Sequence, residues 1–204
     1  MGNMVQLIQL NLFDPDAKMI RYDLYKFLKE ELVNGSKDLV TRPSGEKIRR
    51  RIERGMEKEP DGAVVGLDFA KIGIIDYSCA DEIVAKLVSR LLGGEYGDKY
   101  LILTGLNENQ KENIEVALER KDLAVMASMK DGGRIVLGNL NNYLKDTLAF
   151  ISVRRKATAK DLADARKLEA NTSGTRLLNL HKKRLVKRNE ESRSDGTVWV
   201  YELL

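Results

Sequence analysis

Seven residues, Ala63 to Phe69, read Ala-Val-Val-Gly-Leu-Asp-Phe and constrain the fold more than any other stretch. The run is short, β-branched and nearly continuously apolar. A strand wetted on one side alternates apolar and polar residues, so this one reads as a central strand covered on both faces. Tyr100–Thr104 has the same character. An amphipathic helix is predicted from Ser78 to about Leu92, with Ile83, Val84, Leu87, Val88 and Leu91 inward. Another covers Glu108–Arg120, with Ile114, Ala117 and Leu118 inward. Strands at Leu123–Ala127 and Arg134–Leu137 follow, separated by a turn at Lys130–Gly133. Such alternation predicts an α/β domain with partly parallel strands and right-handed crossovers.

Upstream, Val5–Leu12 reads as a strand closed by the Asp14-Pro15-Asp16 turn. A helix is predicted over Ala17–Val33, striped by Ile20, Leu24, Phe27, Leu28 and Leu32 and stopped at Asn34-Gly35. Ser44 is the predicted cap of a helix to about Met56, with Ile48 and Ile52 inward. Its Arg49, Arg50, Arg51 and Arg54 read as a solvated basic face.

The C-terminal quarter changes rhythm. A bridging helix is predicted over Asn139–Val153, then Thr158-Ala159-Lys160-Asp161 opens a short helix with a capping box. A turn at Arg166–Glu169 leads to a helix capped by Asn171 or Thr172, with Leu177, Leu178 and Leu180 inward. Strands at Leu185–Asn189 and Thr197–Leu203 flank a polar tip, Glu190–Gly196. The chain therefore divides into residues 1–137 and 138–204. Net charge is +4 and uneven: residues 150–204 carry 13 Lys and Arg against 7 Asp and Glu, and residues 1–149 carry 22 against 24. A basic tail on a near-neutral body suits contact with phosphates.

Several chemistries lack their residues. One cysteine, Cys79, and one histidine, His181, do not assemble the usual zinc sites, so no metal is expected. Neither a phosphate-cradling Gly-x-x-x-x-Gly-Lys loop nor a dinucleotide Gly-x-Gly-x-x-Gly after a strand is present, so no cofactor is expected. No catalytic set stands out, and no apolar run has membrane-spanning length. A lone cysteine and the lack of a secretory start point to the cytoplasm.

Three anchors fall in order over Leu39 to Met126: Arg42 with Gly45, then Leu67-Asp68-Phe69, then Ser78-Cys79-Ala80-Asp81-Glu82. This segment resembles a bacterial STAS-like family of undefined role, related to the anti-sigma factor antagonists. Cys79 departs from the pattern, where that family usually has Phe. The resemblance implies a mixed α/β sheet and a regulatory pocket formed by Asp68, Asp76, Ser78, Asp81 and Glu82. In antagonist-type relatives the serine at the Ser78 position is phosphorylated by a serine kinase that is also the binding partner, so the resemblance implies a serine kinase or a histidine-kinase-like ATPase as partner. Read on its own, Ser78-x-x-Asp81 is simply a capping box.

The stretch from Thr158 resembles bacterial winged helix-turn-helix regulators. That likeness makes the helix after the turn a reader of double-stranded DNA. Its base-facing residues would be Asn171, Thr172, Ser173, Thr175, Arg176 and Asn179, with Lys182, Lys183, Arg184 and Arg193 on backbone phosphates. The expected protein is α/β, a STAS-like mixed sheet with helices followed by a smaller winged helix-turn-helix domain. It is expected to act as a non-enzymatic, DNA-binding transcription regulator, with a homodimer on paired half-sites. The alternatives are a protein–protein adaptor in a partner-switching circuit phosphorylated at Ser78, and a nucleotide-binding protein.

Overall fold

The computed structural model describes residues 19–32, 35–129, 132–193 and 196–204. The predicted strand Val5–Leu12, its Asp14–Asp16 turn, and Asn34, Lys130 and Asp131 lie outside the described residues. Strands β1 (Met19–Asp23), β2 (Val64–Asp68), β3 (Tyr100–Thr104) and β4 (Ala124–Ser128) lie side by side in chain order and run parallel. β5 (Arg134–Gly138) joins antiparallel beside β4. Helices α1 (Leu24–Glu31), α2 (Arg42–Met56) and α5 (Glu108–Glu119) link them, together with a composite helix. The composite starts as α3 (Tyr77–Ala80), passes through a π-helical turn (Asp81–Ala85) and continues as α4 (Lys86–Leu92).

Parallel strands laid down in sequential order, with crossovers of one hand, put every connecting helix on the same face. The packing follows that rule. Val65, Leu67, Leu101, Leu103, Val125 and Ala127 share one buried cluster with α2 through α5. The alternate positions, Val64, Tyr100, Ile102, Ala124 and Met126, point the other way and need a different cover.

That cover is the C-terminal unit. It comprises α6 (Asn142–Arg154), β6 (Lys156–Ala157), α7 (Ala159–Arg166), α8 (Ala170–Lys182) and the hairpin β7 (Val186–Arg193) and β8 (Gly196–Leu203). Leu144, Leu148, Phe150 and Ile151 of α6, Leu162 of α7, and Leu177 and Leu180 of α8 join the sheet's second face in a single core. The continuous apolarity of Ala63–Phe69 thus has a cause on each side. The boundary near residue 138 separates two sheets, β1–β5 and β6-β8-β7, but not two cores. Polar ties reinforce the seam: the Arg184 guanidinium donates to the Asp98 carboxylate, and Lys187 Nζ donates to the Gly62 carbonyl at 2.7 Å.

Several local expectations change. Met19–Asp23 is a strand, not the first turns of a helix over Ala17–Val33. Asp23 then caps α1, its carboxylate accepting from Lys26 N at 3.1 Å. Thr41, rather than Ser44, caps α2, with Pro43 in the first turn. The helix at Ser78 is capped by Asp76, whose side chain accepts from Cys79 N at 2.8 Å, so Ser78 lies inside the first turn and makes no capping box with Asp81. Glu169 precedes α8 and gives no side-chain cap; neither Asn171 nor Thr172 does that work. The Thr158–Asp161 capping box is present as read. The hairpin strands run further than expected, to Arg193 and from Gly196, with Ser194 and Asp195 outside the described residues.

Candidate nucleic-acid interface

The outer face of α8 follows from helix geometry. Ser173, Leu177 and Leu180 recur at spacings of four and three, and all three are fully buried. The residues on the other side, Asn171, Thr172 and Thr175, are exposed, while Arg176 and Asn179 are half-buried. These five, with Tyr143 from the first turn of α6, line an open concavity of about 410 Å³. The wall is Tyr143, 45% exposed, and the Arg176 guanidinium carbon sits 5.4 Å from its ring centroid. Asparagine amides, threonine hydroxyls and one guanidinium form a surface of donors and acceptors with a single positive charge. That set matches base edges and phosphate oxygens, and it holds no carboxylate to repel them.

The structure sorts the other predicted contacts. Ser173 belongs to the core and not to the reading face; its hydroxyl finds no hydrogen-bond partner among the described residues. Arg184 is occupied at the seam by Asp98 and the Gly97 carbonyl, so it is not a free phosphate contact. Its positive φ of 57° marks the sharp exit from α8 that turns the side chain toward the body. Lys183 lines a small crevice with Val88, Leu91 and Leu101, which also places it against the body. Lys182 is exposed at the helix end. Arg193 ends β7. Tyr143 was missed from sequence. In the hairpin Arg188 stacks on Trp199, its guanidinium carbon 3.6 Å from the ring, and Trp199 is 43% exposed.

The second predicted site is built differently from the expected pocket. Asp81 and Glu82 sit in the π-helical turn and are buried. Arg42 reaches both carboxylates at 3.0 Å, Lys121 reaches Asp81 at 2.5 Å, and Arg49 and Lys86 reach Glu82 at 3.2 and 2.5 Å. Arg49 also pairs with buried Glu53 at 2.6 Å, so it is an interior cation and not part of a solvated face. Arg50, Arg51 and Arg54 remain outside, paired with Glu46, Glu30 and Glu31. Asp81 and Glu82 are therefore neutralised struts between helices, not free pocket walls. Their carboxyls are held below the usual range by these cations, against the opposing pull of burial.

Asp68 caps its own loop, accepting from Ala70 N at 2.9 Å. Ser78 Oγ donates to the Asp76 carboxylate at 2.9 Å and is half-buried. Cys79 packs where α2 and α3 cross closest: a Cβ on Gly45 would lie 3.3 Å from both its Cα and its Sγ. A small side chain is what this crossing admits. Burial pushes the Cys79 thiol up to about 12, and its Sγ–H donates to the Thr41 carbonyl at 3.0 Å. Among the described residues no cluster of His, Cys, Asp and Glu could hold a metal ion, and no helix is long and apolar enough to cross a membrane.

His181 gives a pH prediction. Burial lowers its pKa, while its Nδ1 lies 3.3 Å from the Val186 carbonyl. A histidine with a depressed folded pKa favours the folded state while both states are neutral. Below about 6.5 the unfolded chain takes the proton first. Stability should therefore fall as pH drops below about 6.5, and His181→Gln should flatten that slope in urea titrations. An unchanged slope in the variant would assign the loss elsewhere. A separate, lower step is expected below about pH 4.5, where the unfolded chain protonates these carboxylates before the folded one, in which Asp81 and Glu82 are held low.

No protein-family model matches the chain, and no curated protein matches it.

Proposed function

We propose that this chain is a non-enzymatic regulator in which a winged helix reads duplex DNA from a STAS-like body. One observation carries the reading. The outer face of α8 presents Asn171, Thr172, Thr175, Arg176 and Asn179 to one concavity whose lining holds no carboxylate, while the module's other side is taken up by the sheet. A helix fixed from behind and polar in front suits major-groove entry. Arg176 and Asn179 supply forked donors for base edges, and Lys182 supplies a phosphate contact.

Fluorescence anisotropy with a labelled duplex tests this. Binding should weaken as salt rises from ~50 to ~200 mM, with a modest slope, because Arg184 and Lys183 are spent on the body. Arg176→Ala should cost about 1–3 kcal/mol on the preferred sequence and blur the preference there. Lys182→Ala should weaken all duplexes alike and make the salt slope shallower by about 0.9. Parent-like affinities for both variants, or no duplex binding at low salt, would refute the reading.

A second reading, partner docking beside Ser78, is favoured by a separate observation. Val40 and Ile74 are exposed aliphatics next to the paired positions Leu39 and Ile75, and Asp76 and Ser78 follow directly. Since Arg42, Arg49, Lys86 and Lys121 neutralise Asp81 and Glu82, Asp76 is the carboxylate that would oppose a phosphate on Ser78. Mass spectrometry of protein from its own cells tests it. A phosphate on Ser78 supports the switch, and an unmodified Ser78 across growth conditions counts against it.

A further inference from the structure

We infer that Tyr143, on α6, sets the base specificity of α8 by pre-orienting Arg176; this rests on the DNA-reading proposal above. A long guanidinium arm loses rotamer freedom when it docks on a base edge, and that loss weakens discrimination unless the arm is already held. Among the described residues Arg176 has no carboxylate partner in reach. What it has is the Tyr143 ring, 5.4 Å from ring centroid to guanidinium carbon, within cation–π range. A carboxylate would hold the arm too, but it would also compete with the base for the donors. An aromatic face steers the planar group and leaves its N–H edge free.

The backbone that carries the ring is well anchored. Asn141 caps α6, its side chain accepting from Leu144 N at 3.0 Å. Thr147 Oγ1 donates to the Tyr143 carbonyl at 2.7 Å, and the neighbouring Leu144 and Leu148 are buried in the shared core. The ring therefore springs from a capped, well-packed turn. Both side chains wall the same concavity as Asn171, Thr172, Thr175 and Asn179. Tyr143 is a positioning residue here, and it comes from a helix that is not the reading helix.

The test uses the full chain and the best-bound sequence recovered from a randomised duplex pool. Each variant is measured on that duplex and on single-base changes of it. Tyr143→Ala should lose about tenfold in discrimination at the position that Arg176→Ala also blurs. Tyr143→Phe should keep the parent preference, because the ring remains. Combining Tyr143→Ala with Arg176→Ala should be no worse than Arg176→Ala alone, as expected for one coupled pair. Parent-like discrimination in Tyr143→Ala, or equal loss in Tyr143→Phe, overturns the inference while leaving DNA reading intact. Absence of duplex binding by the parent protein overturns both.

Discussion

A chain cut after Gly138 is expected to aggregate instead of behaving as a free α/β domain. The cut strips one face of the sheet. Val64, Tyr100, Ile102, Ala124 and Met126, all buried under α6–α8 and the hairpin in the full chain, would meet water together. Large apolar side chains lose about 1.5–3 kcal/mol each on exposure, so Val64, Ile102 and Met126 alone jeopardise much of the ~5–15 kcal/mol that keeps a domain folded. A contiguous patch of that kind also recruits other copies. Size-exclusion chromatography with a hydrophobic dye reads the outcome. A monomeric, dye-silent fragment with a cooperative melt would show that the sheet does not depend on the C-terminal unit. The same dependence bears on signalling. The C-terminal unit is seated on the sheet itself, so on the proposed reading a signal from the body would reach it through shifts in a shared core and not through release of a tethered domain.

The second large effect is expected at Glu82→Ala. Glu82 is 1% exposed and accepts from Arg42, Arg49 and Lys86. Arg42 and Lys86 are substantially exposed and contribute little after solvent screening. Arg49 is not: its side chain is 9% exposed, and the substitution leaves it with Glu53 as its one remaining ion-pair partner among the described residues. Leaving a buried charge uncompensated costs about 3–5 kcal/mol; Arg49 keeps Glu53, so a loss toward the lower end of that range is expected, against a few tenths for the exposed Arg50–Glu46 pair. Urea unfolding should show the first loss clearly, with Glu46→Ala as the near-silent control. Equal midpoints for the two variants would mean that the interior network is dispensable.

The central strands were legible because their signal is local. Ala63–Phe69 and Tyr100–Thr104 announce burial on both faces, and the capping box at Thr158 announces a helix start. β1 was not legible. Ile20, Leu24, Phe27 and Leu28 satisfy helical spacing, and the strand that competes for Met19–Asp23 exists only because β2 lies beside it, 45 positions away in register (Met19 against Val64). Asp23 was the available clue, an N-cap residue sitting inside a predicted helix. Ser173 was equally readable, since it shares a stripe with Leu177 and Leu180. Arg184 was not: Lys182-Lys183-Arg184 looks like a phosphate cluster, and its true partner, Asp98, is 86 residues distant. Asp81 and Glu82 looked like pocket walls for the same reason, because the arginines that neutralise them come from α2. Tyr143 falls within the predicted helix Asn139–Val153, and only the crossing of α6 with α8 gives it Arg176 as a neighbour.

Hydrogen–deuterium exchange of the full chain, with and without a saturating duplex, separates DNA reading by α8 from the alternatives. Duplex should slow exchange in the first turns of α8 and beside Tyr143. Amides of β3 and of the seam near Asp98 and Arg184 should stay protected in both states, and the start of α3 at Ser78 should not respond. Protection that appears around Ser78 instead, or a seam that opens while α8 is unaffected, would contradict it.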